Sequence, residues 1–227
     1  MFTTVRTMRA PEESARAFVY RVLSLYIREM FLRPGEKLVE TDVAQALQVS
    51  RTPVHDTFAR LEREKMLCSV PRGAVVPPLD PAAITQLIWM YRTATLAAMG
   101  ERYTSRPATL EPLDRCVARE YEALRGGALL QMARLEQEFL TELYRLADRL
   151  PVLGALRSTG PDLYRMLRLL EDRRMWGYIA DRHAGLVQAL ALRDHDAAAA
   201  ALNAEYDLFE PLLAECRYNR PDYFRQD

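Results

Sequence analysis

Apolar and polar positions recur with a helical rhythm along most of the chain. Between Glu13 and Phe31 the residues Val19, Val22, Leu23, Tyr26, Ile27 and Met30 return every three or four positions, the spacing that lays one apolar stripe along an α-helix. Pro34-Gly35 is predicted to end it. A short second helix follows, with Thr41 as its predicted N-cap and Val43, Ala46 and Leu47 on one face. After a brief turn, Ser50 is the natural N-cap of a third helix. Pro53 falls in its first turn, where a missing N–H leaves nothing unsatisfied, and Val54, Phe58 and Leu61 form its buried stripe. The period then changes: the stretch Leu67 to Val76 holds two β-prone runs around Pro71-Arg72-Gly73, which reads as a hairpin.

Pro77-Pro78-Leu79-Asp80-Pro81 breaks secondary structure and makes a short, stiff connector. It divides the chain into predicted domains 1–78 and 79–227. Everything beyond it reads helical. Asp80 caps a helix that carries Ile84, Leu87, Ile88, Tyr91, Thr95 and Ala98 on one side. Further helices are predicted over 109–124, 129–149 and 152–157, then from about Asp162, from near Trp176 to Leu192, and from an Asp194 cap to about Cys216. The predicted fold class is mainly α: an N-terminal winged helix-turn-helix with a small β-hairpin wing, then a C-terminal all-α bundle of six or seven helices.

Size and composition narrow the classes. The 227 residues are enough for two cores, and 49% hydrophobic with 27% charged content describes an ordinary soluble chain without an apolar run of membrane-crossing length. The first nine residues lack the apolar centre of a signal peptide, so a cytoplasmic location is expected. Cys68, Cys116 and Cys216 have neither disulfide-framework nor zinc-ribbon spacing and are read as small buried hydrophobes. Net charge is zero, with twelve Lys+Arg against ten Asp+Glu in residues 1–80. This counts against indiscriminate nucleic-acid binding, and a sequence reader of this kind must rely on placed residues, doubled through a dimer, more than on bulk field.

Those placed residues are visible. The polar face of the third helix carries Arg51, Thr52, His55, Asp56 and Arg60. Two short helices, the second presenting hydrogen-bonding side chains from its first turns, are how a helix-turn-helix reads base edges in the major groove. At the hairpin tip Arg72 is placed to enter a groove or touch phosphate, while Gly73 permits close backbone approach. Arg6 and Arg9 in the polar lead-in are within reach of a bound duplex.

Pro34-Gly35-Glu36-Lys37-Leu38-Val39-Glu40, Leu47-Gln48-Val49-Ser50-Arg51-Thr52-Pro53-Val54, Leu61-Glu62 and Arg72-Gly73-Ala74 closely resemble the winged helix-turn-helix of GntR-family bacterial transcription regulators. The resemblance implies double-stranded DNA as partner, with Arg51, Thr52 and His55 reading bases and Arg60, Arg72 and Gly73 at the backbone or flanking groove. Three departures stand out. Gln48 replaces the usual glycine between the helices, and a left-handed backbone there is strained by about 1 kcal/mol or more. His55 replaces a second arginine, and a neutral imidazole is the weaker partner for phosphate or guanine. Ser69 and Val70 stand where basic residues are common, so modest intrinsic affinity is expected.

The helical half is similar, more weakly, to the FadR subgroup of that family, whose C-terminal bundle senses a small molecule and dimerises. The resemblance implies a divalent-metal site at Glu136, Leu140, His183 and Glu205. Glu136 and His183 keep donors, Leu140 supplies none, and Glu205 puts oxygen in place of nitrogen. No cofactor is therefore expected to be held firmly, and a divalent ion only weakly. The plainer reading of His183 is a hydrogen-bonded histidine on a partly buried face. The expected effector set is Arg92, Glu136, Tyr144, Arg182, His183 and Glu205, with Arg92 and Arg182 suited to clasp a carboxylate. The plainer reading of Arg92 is an interhelical salt bridge to Glu136.

These residues together imply a ligand-responsive regulator, a repressor that binds a short pseudo-palindromic operator as a homodimer and touches no membrane. A competing reading is a DNA-binding or protein-interaction module whose helical half only dimerises. An enzyme is not expected: no Gly-x-Ser-x-Gly elbow, Cys-His placement or phosphate-cradling loop is present. The remaining catalytic option is an acid–base pair of Glu136 and His183.

Overall fold

The Ser14 hydroxyl accepts the backbone N–H of Ala17 and opens helix α1, Ala15–Arg28, which buries Phe18, Val19, Val22, Leu23, Tyr26 and Ile27. A short strand β1, Lys37–Leu38, leads into α2, Glu40–Leu47, and α3, Arg51–Arg63, which packs back on α1 and α2. Strands β2, Cys68–Val70, and β3, Gly73–Val75, form the hairpin, and β1 joins its β3 edge to give an antiparallel sheet of order β1-β3-β2. Gly73 cannot be replaced here: its φ is 149°, and a Cβ would lie 2.1 Å from the Leu38 carbonyl oxygen. One apolar core, from Phe18 to Val76, unites these elements. The computed structural model describes residues 8–102 and 109–226.

Beyond the proline-rich joint, Asp80 Oδ1 accepts the N–H groups of Ala82 and Ala83 and caps α4, Pro81–Arg102. The following helices are α5, Glu111–Arg125; α6, Met132–Leu146; α7, Leu150–Ser158; α8, Asp162–Leu167; α9, Arg173–Leu192; and α10, His195–Asn219. Asp172 and Asp194 cap α9 and α10 through their carboxylates. The packing closes a ring, from α4 to α10, α9, α5, α6, α7 and back to α4, around a second core that extends from Leu79 to Phe224. This is the mainly α architecture with a small wing that the pattern predicts, with seven helices in the second half among the described residues.

A buried polar joint ties the halves together. Glu29, the C-cap of α1, accepts hydrogen bonds from Arg134 Nε on α6 (2.9 Å) and Tyr164 Oη on α8 (2.7 Å), and Arg168 Nε lies 3.1 Å from its second oxygen. Burial pushes the Glu29 carboxyl up, but these partners outweigh it and hold it below its ordinary value. Fully buried Arg165 donates to the Pro77 carbonyl in the joint and to Asp162. Leu79 bridges to Phe224, so the C-terminal segment also pins the connector.

Several expectations need correction. Helix α1 ends at Arg28, before Pro34-Gly35, because Met30 turns left-handed with φ 62°. Helix α2 opens at Glu40 behind Val39, so Thr41 is not its N-cap, and Ala44 rather than Ala46 joins Val43 and Leu47 in the buried stripe. Ser50 occupies the N-cap of α3 but its hydroxyl makes no capping bond. Cys116 and Cys216 are buried as expected, whereas Cys68 is exposed on the edge strand β2. Arg6 lies outside the described residues, and Arg9 is bonded to the Glu13 carbonyl.

Candidate nucleic-acid interface and sensing core

Burial of Val54, Thr57, Phe58 and Leu61 fixes the rotation of α3 and turns its first-turn side chains outward. Arg51, Thr52 and His55 are all exposed. Glu40 at the start of α2 holds two of them: its carboxylate is 2.8 Å from His55 Nδ1 and 3.4 Å from Arg51 Nη2. The hydrogen bond and charge of Glu40 raise the His55 pKa, and His55 in turn lowers that of Glu40. The imidazole is thus biased toward its cationic form, unlike the neutral ring expected from sequence. Glu40 occupies these cations as a phosphate or base edge does in a complex.

The remaining positions divide. Arg72 is exposed at the hairpin tip in a left-handed conformation with φ 65°, next to Gly73. Arg60, by contrast, stacks 3.5 Å from the centre of the Tyr20 ring and bonds Glu64, which also accepts the Tyr20 hydroxyl. Its charge is committed to fastening α3 to α1. Asp56 pairs with Arg16 of α1, which removes a negative charge from the reading face.

In the bundle, four helices send ionisable groups into one buried cluster. His183 on α9 stacks on Phe139, with ring centres 3.8 Å apart. Its Nδ1 donates to Glu120 on α5 at 2.9 and 3.0 Å, and its Nε2 lies 3.5 Å from Glu205 on α10. Burial alone lowers the His183 pKa, but the charges of Glu120 and Glu205 and their hydrogen bonds raise it well above the ordinary value. Glu136 on α6, also buried, accepts from Gln137, and burial together with the charge of Glu205 pushes its carboxyl up to about 7. Beside it, Thr95 bonds both Tyr144 and Tyr206 at 3.0 and 3.1 Å.

Glu136, Tyr144, His183 and Glu205 are therefore interior groups. The two arginines are not. Arg92 bonds Asn203 and Asp207 on α10 at the edge of a groove of about 440 Å³, and Arg182 is exposed on α9. The salt bridge expected for Arg92 exists with Asp207 in place of Glu136. Glu120 was missed altogether. The signal was there: it falls on the buried stripe Leu113, Cys116, Ala123, Leu124 of α5, where a carboxylate is costly unless paired.

Comparison with known proteins decides the family. Residues 15–76 match the bacterial regulatory proteins of the gntR family, and residues 92–207 match the FCD domain, which alone spans half the chain. The chain belongs to the GntR family. Its two halves make it a transcription regulator of the FadR-like subgroup, with a DNA-binding head and an FCD effector-binding domain. It is 22% identical over 228 residues to the HTH-type transcriptional repressor RspR of Escherichia coli, covering 99% of this chain and all of RspR. In fold it is similar to a GntR transcriptional regulator from Rhodococcus sp. RHA1, with TM-score 0.77 and 21% identity over 88% of this chain and 97% of that one. The E. coli protein McbR/YncC gives 0.74 and 18% over 91% and 99%.

For this GntR-family protein the metal expectation is tested by the donors. Both nitrogens of His183 face carboxylates, Glu120 on one side and Glu205 on the other, so a metal on this ring would have to displace one of those contacts. Leu140 is buried where a nitrogen donor is needed. No three His, Cys, Asp or Glu side chains among the described residues are grouped to hold one ion. The residues present do not fit a divalent-metal centre. No described helix is long and apolar enough to cross a membrane.

Proposed function

We propose that this GntR-family regulator is a cytoplasmic repressor, without catalytic activity of its own, that binds a short pseudo-palindromic operator as a homodimer. Each α3 reads one half-site in the major groove through Arg51, Thr52 and His55, and Arg72 reaches the flanking backbone or groove from a hairpin tip that Gly73 lets pack against β1. The observation that carries this reading is the exposed first turn of α3, where, among the described residues, Glu40 holds the side chains of Arg51 and His55. Arg60 supports the helix from behind and contributes little direct contact.

The effector reading rests on the interior cluster. Glu120 and Glu205 hold the imidazole of His183 between them, buried Glu136 lies in the field of Glu205, and the Thr95 hydroxyl bonds those of Tyr144 and Tyr206 in the same core. Such a set works without a resident metal and suits a neutral, hydroxyl-rich or cationic small molecule better than a carboxylate, because the expected arginine clasp is not assembled there. The ligand acts through unequal affinity for the DNA-competent and incompetent arrangements.

Duplexes selected from random DNA supply the test. Arg51→Ala is expected to weaken binding to the selected site by about 1–3 kcal/mol and to blur its sequence preference. Arg72→Ala is expected to weaken all duplexes alike and to flatten the salt dependence. Binding unchanged in both variants contradicts the reading.

A further inference from the structure

Helix α4 has an unusual composition for a helix at the surface. From Pro81 to Gly100 its only charged residue is Arg92, and Arg92 is already bonded to α10. Its exposed positions include Gln86, Trp89, Thr93 and Ala97, with Trp89 63% exposed. Exposed positions of α5, by comparison, carry Arg115, Arg119 and Glu122. A helix with no charged face is ordinarily covered on all sides, and an exposed indole on an uncharged face leaves a large apolar surface in water.

Trp89 itself lines one side of a groove of about 440 Å³ between α4 and α10, which is lined also by Ile88, Arg92, Tyr206, Asp207 and Glu210. Its size is within the range of pockets that enclose a small organic group. Knob and groove thus share one face, which is what a two-fold interface between identical copies requires, since the same patch must serve both sides. The polar atoms are complementary as well. Among the described residues, the indole N–H of Trp89 and the carboxylate of Glu210 have no partner, and they are donor and acceptor on the same groove.

We propose that the α4–α10 face is the self-association surface, with Trp89 of each copy seated in the other's groove and its N–H donated to Glu210 there. This rests on the homodimer reading and adds the face, the register and the anchor. The two α4 helices cross near Trp89, where Gln86, Thr93 and Ala97 bring no charge to desolvate. An anchoring tryptophan in a desolvated pocket is the kind of residue that dominates an interface.

Sedimentation of the full chain at micromolar concentration, wild type against Trp89→Glu, is the test. The wild type is expected to be a dimer and the variant to dissociate at least about thirtyfold more readily, with an unchanged circular-dichroism spectrum. A monomeric wild type overturns the homodimer reading itself. A dimeric Trp89→Glu protein overturns only the face. If that variant fails to fold, a photoreactive benzoylphenylalanine at position 89 decides. Cross-links from it to residues 85–92 or 206–210 of a second copy support the face; cross-links elsewhere, or a dimer that gives none, overturn it.

Discussion

Glu136 lies inside the bundle, where burial and the charge of Glu205 push its carboxyl up from the ordinary 4.5 to about 7. A carboxyl raised in the folded state stabilises the fold fully below its unfolded value and loses that contribution as pH rises through about 7. The raised His183 weakens in the same direction, as pH climbs through its folded value. Glu136→Gln separates the two. At pH 8 it is expected to be more stable than the wild type by up to about 3 kcal/mol, and at pH 4 nearly equal to it, in urea unfolding. Equal stability at pH 8 contradicts the placement of Glu136. At this scale the sequence disclosed the reading residues Arg51, Thr52 and His55, because exposure follows from helical phase. It hid Glu120 and the true partners of Arg92, because those contacts depend on which helices become neighbours. Asp207 is 115 residues from Arg92, and no local period encodes that.

Elements were legible where a local chemical signal marks them. Asp80 and Asp194 cap helices through their side chains as predicted, and the period change after Leu67 announced the hairpin, whereas the Asp172 cap opens α9 ahead of the expected start near Trp176. Strand β1 was not seen: two residues have no period, and Lys37–Leu38 is extended only because β3 offers it an edge. Between α2 and α3, Gln48 adopts φ 54° and ψ 46°, the left-handed conformation anticipated from the missing glycine. A side chain there is strained, so Gln48→Gly is expected to raise stability by about 1 kcal/mol without altering DNA contacts. Thermal unfolding checks the gain; a loss of stability shows that the Gln48 side chain contributes more than its backbone costs.

Between the halves of the molecule, Glu29 carries a buried negative charge into three groups of the other half. Helix α6 presents Arg134 to Glu29 and, two residues on, Glu136 to the interior cluster, so one rigid element touches both the joint and the sensing core. Removing one member of such a pair leaves the others desolvated and unmatched. Glu29→Ala is expected to cost about 3 kcal/mol or more in equilibrium unfolding at pH 7. Because the Glu29 carboxyl is lowered in the folded state, that difference is full above about 4.5 and shrinks as pH falls through its folded value. An unfolding curve unchanged by the substitution at pH 7 contradicts the joint. Nothing in the sequence announced it, since Glu29 stands at a helix end among mixed charges and reads as solvated.

Protection of a selected duplex from dimethyl sulfate, which methylates guanine N7 in the major groove and adenine N3 in the minor, tests the placement of α3 most directly. The wild type is expected to protect guanine N7 in two symmetric clusters about one helical turn apart, and Arg51→Ala to lose that protection. Protection confined to adenine N3, or guanine protection that survives Arg51→Ala, contradicts the account.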